Sequence, residues 1–130
     1  MDKELKEIVA QLYRQPWNKI GEFDLSHFSE SQLNRYTDQL CLASGWRERV
    51  SAAKLIIMYS FGEKVSSLIT SFYKNPEIYT CAALCEMLER LDSPLAIDYL
   101  QKMKDACSDD QYSEKLKDRI DSSIQKITDS

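Results

Sequence analysis

Glycine and proline are scarce, each occurring three times in 130 residues. That is too few for the many tight turns of a β-sandwich or barrel. Histidine occurs once, as His27 between Ser26 and Phe28. Acid–base or Cys/His nucleophilic chemistry near neutral pH would therefore rest on one imidazole with no carboxylate or nucleophile partnered to it by spacing. No serine stands in a Gly-x-Ser-x-Gly elbow and no glycine-rich phosphate loop is present. No run approaches the ~18 apolar residues that span a bilayer. The first residues, Met1-Asp2-Lys3-Glu4-Leu5-Lys6-Glu7, lack the apolar stretch of a signal peptide. These absences argue against an enzyme, a cofactor and a membrane partner, and they predict a cytoplasmic chain.

A basic excess is missing too. Seventeen Lys and Arg stand against 21 Asp and Glu, a net charge of -4. The imbalance is uneven: residues 1–75 hold ten bases and nine acids, a net +1, whereas residues 76–130 hold seven and twelve, a net -5. An acidic C-terminal part repels phosphate backbones, which excludes direct nucleic-acid binding as an expectation and suits a basic protein partner. A plain solvated surface is the other reading of the same charge.

Cysteine is modestly used, at positions 41, 81, 85 and 107, with Leu40, Leu42, Ala82, Ala83 and Leu84 as neighbours. In a reducing compartment these would be thiols. Cys81 and Cys85 are four apart and so share a helix face, which would permit a shared metal. With His27 distant in sequence and no C-x-x-C, packing in the core is the favoured reading.

What is abundant is helical periodicity. Leu5, Ile8, Val9, Leu12 and Tyr13 mark a first helix, stopped by Gln15-Pro16. Residues 17–28 read as an ordered connector that packs through Trp17, Ile20, Phe23 and Phe28. Ser29-Glu30-Ser31-Gln32 has the form of a capping box opening a helix through Leu33, Tyr36, Leu40 and Leu42, with Gly45 expected as its left-handed cap. Trp46 to Tyr59 is the next helix, which Gly62 is expected to break. Val65, Leu68, Ile69, Phe72 and Tyr73 follow on another, ended by Asn75-Pro76. Ile78 to Leu91 makes a further helix, and Asp92-Ser93-Pro94 starts one through Leu95, Ile97, Tyr99, Leu100 and Met103. Tyr112, Leu116, Ile120, Ile124 and Ile127 mark the last.

The middle helices match at an offset of thirty residues: Ala52-Ala53 on Ala82-Ala83, Met58 on Leu88, Phe61 on Leu91, Val65 on Leu95 and Ile69 on Tyr99. Equal buried stripes on successive helix pairs predict stacked units. The expectation is one all-α domain over 1–130 with about six to seven helices: N-terminal helices and connector over 1–45, two stacked antiparallel helix pairs over 46–107, and a C-terminal capping helix over 108–130. An irregular bundle is the alternative.

Trp46-Arg47-Glu48-Arg49 leading into Ser51-Ala52-Ala53-Lys54-Leu55-Ile56, then Tyr79-Thr80-Cys81-Ala82-Ala83-Leu84, then Ala96-Ile97-Asp98-Tyr99-Leu100, resembles a family of small bacterial HEAT-like helical-repeat proteins. Such proteins are similar to the immunity proteins of polymorphic and contact-dependent toxin systems. The resemblance covers residues 40–107. It implies a HEAT-like α-solenoid that binds a cognate toxin domain and blocks its active site. An adaptor or scaffold with an unrelated partner is the alternative.

Two constellations stand out. Arg47 and Arg49 beside Glu48 could clamp a carboxylate or phosphate, although a structural role at a helix start is the favoured reading. The acids Glu86, Glu89, Asp92, Asp98, Asp105, Asp109 and Asp110 are the candidate partner-binding face, with Tyr99 and Tyr112 as aromatic anchors. Glu86 and Glu89 share a face at spacing three, and Asp98 and Asp105 lie two turns apart. Against a nuclease, these carboxylates would occupy a basic cleft in place of phosphates. Pairing with Arg90, Lys102 and Lys104 within the chain is the competing role.

Overall fold

Helices begin in this chain where a side-chain oxygen reaches free backbone donors. Asp2 Oδ1 accepts from Glu4 N at 2.8 Å and opens α1 (Lys3–Leu12). Ser29 Oγ accepts from Gln32 N at 3.1 Å and opens α2 (Glu30–Cys41). The Gln32 side chain turns elsewhere, donating to Tyr36 Oη at 3.2 Å and Glu4 Oε2 at 3.4 Å, so it ties α2 to α1. In the computed structural model, which describes residues 2–107 and 113–130, five more α-helices follow. They are α3 (Trp46–Tyr59), α4 (Val65–Lys74), α5 (Ile78–Arg90), α6 (Ala96–Ala106) and α7 (Ser113–Thr128). Short 3-10 helices occupy Trp17–Glu22, inside the expected connector, and Gly62–Lys64. The described residues form no strand, and the helix total slightly exceeds the six to seven expected.

Both glycine assignments need correcting. Gly45 does not take a left-handed cap for α2: that helix ends at Cys41 with Leu42 in right-handed geometry. Gly45 instead sits extended at φ -74° and ψ 143° as the residue before α3. A Cβ there would collide with the Glu48 carboxylate, which folds back over it. Gly62 does not break α3 either. The left-handed residue is Ser60, at φ 58° and ψ 42°, and Phe61 N donates to Ile56 O at 3.0 Å to close the turn. At the next break, Glu77 follows Asn75-Pro76 as a cap, its carboxylate accepting from Tyr79 N at 2.8 Å and Thr80 N at 2.7 Å.

The helix at the centre is α3. Eight consecutive residues, Arg49 to Ile56, are buried, because α1, α2, α4 and α5 all pack around it. In turn α5 lies between α3 and α7, and α6 packs on α4 and α7. The thirty-residue match holds in part. Ala53 and Ala83 are both buried, but Ala52 is enclosed where Ala82 is exposed. Val65 is likewise buried where Leu95 is 53% exposed. The cause is position: α3 has neighbours all round, whereas α5 and α6 keep an open side.

Two buried cations on α3 finish other helices. Lys54 Nζ donates to the carbonyls of Leu12 at 3.2 Å, Tyr13 at 2.9 Å and Gln15 at 2.6 Å, beyond the last turn of α1. Arg49 Nη1 donates to Ser71 O at 3.3 Å and Asn75 O at 3.0 Å, at the end of α4. Helix ends leave carbonyls without intrahelical donors and carry partial negative charge, so a cation serves both needs there. Burial depresses the pKa of each, that of Lys54 to about 8.

Candidate functional site

The expected acidic face is distributed over three places. Glu86, half-buried on α5, pairs with Arg90 Nη2 at 3.7 Å. Glu89, one turn on, faces α7: its carboxylate accepts from Ser123 Oγ at 2.7 Å and Arg119 Nη1 at 3.1 Å, with Lys126 Nζ at 3.3 Å. Its side chain is 12% exposed. Burial works against the Glu89 charge, but the Ser123 hydroxyl, Arg119 and Lys126 outweigh it and hold the pKa below the usual carboxylate value. Asp92 is exposed in the loop between α5 and α6.

Asp98 and Asp105 are exposed on α6, and Tyr99 between them is half-buried. Asp98 pairs with Lys102 at 3.2 Å across one helical turn. These three residues surround Tyr73 of α4: burial raises its phenol pKa, and Asp98, Tyr99 and Asp105 raise it further. Tyr73 Oη is buried with no hydrogen-bond partner among the described residues. Asp109, Asp110 and Tyr112 lie outside the described residues.

The two arginines of the possible clamp separate. Arg49 is 1% exposed and bonded to α4 carbonyls, with Nε and Nη2 unpartnered among the described residues. Arg47 lies outside on the aromatic rings of Trp46 and Tyr13, its guanidinium carbon 4.7 Å and 5.4 Å from their centroids.

Those rings belong to a cluster that periodicity did not reveal. Trp46 meets Tyr79 with centroids 4.6 Å apart, and Tyr13 meets Trp46 edge-on at 5.5 Å. With Trp17, Lys54, Ala82, Glu86 and Arg119 they line an open cleft of about 350 Å³. Trp46 and Tyr79 occupy the first two positions of α3 and α5, helices that the thirty-residue offset makes neighbours. That placement was the only sequence signal for the cluster.

His27 is exposed and packs against Phe28, ring centroids 4.1 Å apart, in a small hollow of about 110 Å³ shared with Glu4, Glu7, Gln11 and Asp24. All four cysteines are buried and none forms a disulfide. Burial pushes Cys41 up to about 12, and its hydrogen bond with Cys85 together with burial raises Cys81 as well. Among the described residues no group of three or more His, Cys, Asp and Glu side chains is arranged to hold a metal. No helix among them is long and apolar enough to cross a membrane. No family model, curated protein or solved structure matches the chain.

Proposed function

We propose that the chain is a protein-binding helical module, the immunity partner of a cognate bacterial toxin domain with a basic active cleft, a nuclease above all. Its helices act as stacked HEAT-like pairs, a reading supported by α5 lying between α3 and α7 while α4 lies against α6. The observation that carries the function is the surface around α6: exposed carboxylates of Asp92, Asp98 and Asp105 beside the half-buried ring of Tyr99. Carboxylates around an aromatic anchor suit a basic, partly apolar counter-surface. Their charge speeds encounter and sets register, while the helical scaffold covers the toxin's substrate channel.

Glu89 contributes by a different route. Its carboxylate fixes α7 against α5, so it holds the scaffold in shape.

The test is co-expression with a basic toxin domain encoded beside this gene. The two should co-purify, toxicity should fall, and association should slow as salt rises. Reversing Asp92, Asp98 and Asp105 to lysine together should lower affinity at least tenfold while the melting temperature holds. Unchanged affinity in that variant would place the interface elsewhere, and a neighbouring metabolic operon with no toxin frame would count against immunity.

A further inference from the structure

We propose that the cleft framed by Tyr13, Trp46 and Tyr79 is a second recognition site, opposite in sign to the α6 surface, that takes an acidic peptide segment carrying an aromatic residue. Three observations lead there.

The first is an exposed aromatic platform. Tyr79 is 59% exposed although its ring lies 4.6 Å from that of Trp46. Aromatic rings presented together beside arginine are the usual anchors of a protein contact.

The second is charge. Arg14 Nε donates to Tyr13 Oη at 3.0 Å, and Arg47 lies over Tyr13 and Trp46. Neither guanidinium has a carboxylate within ion-pair distance among the described residues. The other charges at the cleft are already answered. Glu86 is held by Arg90, Arg119 by Glu89, and Lys54 by backbone carbonyls. Two exposed, unpaired cations on a chain of net charge -4 make a local positive field. The Tyr13 phenol registers it, its pKa drawn down by Arg14 and then Arg47.

The third is shape. A void of about 350 Å³ that is open to solvent accommodates one planar side chain but does not enclose a small molecule, whose sites bury most of the ligand surface. An extended segment solves both demands. Its aromatic residue enters against Trp46 and Tyr79, and its flanking carboxylates meet Arg14 and Arg47 as charge-assisted hydrogen bonds. The site uses none of the α6 residues, so it stands or falls apart from the toxin-binding reading.

The experiment follows the two indole N–H signals of the ¹⁵N-labelled full chain, assigned with Trp17→Phe, while peptides are added. The probes are acetyl-Asp-Glu-Phe-Asp-Glu-amide, the same peptide with Ala for Phe, a Lys-Lys-Phe-Lys-Lys analogue, and adenosine monophosphate. The acidic Phe peptide should shift the Trp46 signal saturably. The Ala and lysine peptides should bind at least tenfold more weakly, and the double variant Arg14→Gln/Arg47→Gln should lose at least tenfold in affinity with an unchanged melting curve. Tyr79→Ala should weaken binding without touching charge. Absence of a saturable shift, equal binding of the lysine peptide, unchanged affinity in the double variant, or tighter binding of the nucleotide than of the peptide would each overturn the proposal.

Discussion

Lys54 Nζ lies 2.6 Å from the carbonyl oxygen of Gln15 and bonds two further carbonyls at the end of α1, so an ammonium group from the central helix terminates a helix some forty residues earlier. Replacing it with Met should leave those carbonyls without a donor in a buried setting and cost about 1–3 kcal/mol at pH 7. The pH dependence has a definite sign. Burial sets the folded pKa at about 8 against the ordinary 10.5, so between those values the unfolded chain holds a proton that the folded chain lacks. Stability then rises with pH across that window, and below it the contribution is constant. Urea titrations from pH 7 to 10 should show the gap between wild type and Lys54→Met widening above pH 8. A constant gap would mean that Lys54 titrates normally.

Glu89 shows the opposite linkage. Its pKa is held below the ordinary 4.5, so its stabilisation is complete above that value and lost as pH falls through the lowered one. Glu89→Gln should destabilise by about 1–3 kcal/mol at neutral pH, because Arg119 and Lys126 lose their anion. The difference from wild type should shrink steadily in acid below pH 4.5. Equal melting temperatures at pH 7 would show that α7 docks without this pair.

Ser60 is the one non-glycine residue at positive φ among the described residues. Left-handed geometry costs a residue with a Cβ about 1–2 kcal/mol, and glycine escapes most of it at the expense of unfolded-chain entropy. Ser60→Gly should therefore raise the urea midpoint, with a gain below about 1 kcal/mol. Gly62→Ala, where a Cβ would meet nothing within 4 Å, should not lower it.

Thiol reactivity gives a fourth check. Cys41, Cys81, Cys85 and Cys107 are buried, so a reagent cannot reach their sulfurs in the folded chain, and burial further pushes Cys41 up to about 12. A thiol-specific reagent should modify none of the four in minutes on the folded chain and all four in denaturant. Rapid labelling of any one would reveal local opening around it.

The sequence was most informative where the governing interaction is short-range. Ser29 reaches Gln32 over three residues, and Leu5, Ile8, Val9 and Leu12 reveal their shared face by spacing alone. It was least informative where partners come from afar. Nothing near Lys54 or Arg49 says that each will meet the end of another helix, and both look like surface charges until α1 and α4 are in place. Gly45 and Gly62 were read as breaks from conformational freedom, yet the left-handed turn fell to Ser60. The acidic stretch showed the sign of the surface and not its division: Asp98 stays in solvent on α6 while Glu89 turns inward, because the side of α5 that carries Glu89 meets Arg119 and Ser123 of α7.

The enclosure of α3 bears on how the chain comes apart. Residues Arg49 to Ile56 can reach water only if several neighbouring helices leave together, so their amide hydrogens should exchange at the rate of global unfolding, with no faster local route. A protein whose middle helix supports so many others has no half that can melt by itself, and its surfaces on α6 and at Trp46 would persist or vanish as one.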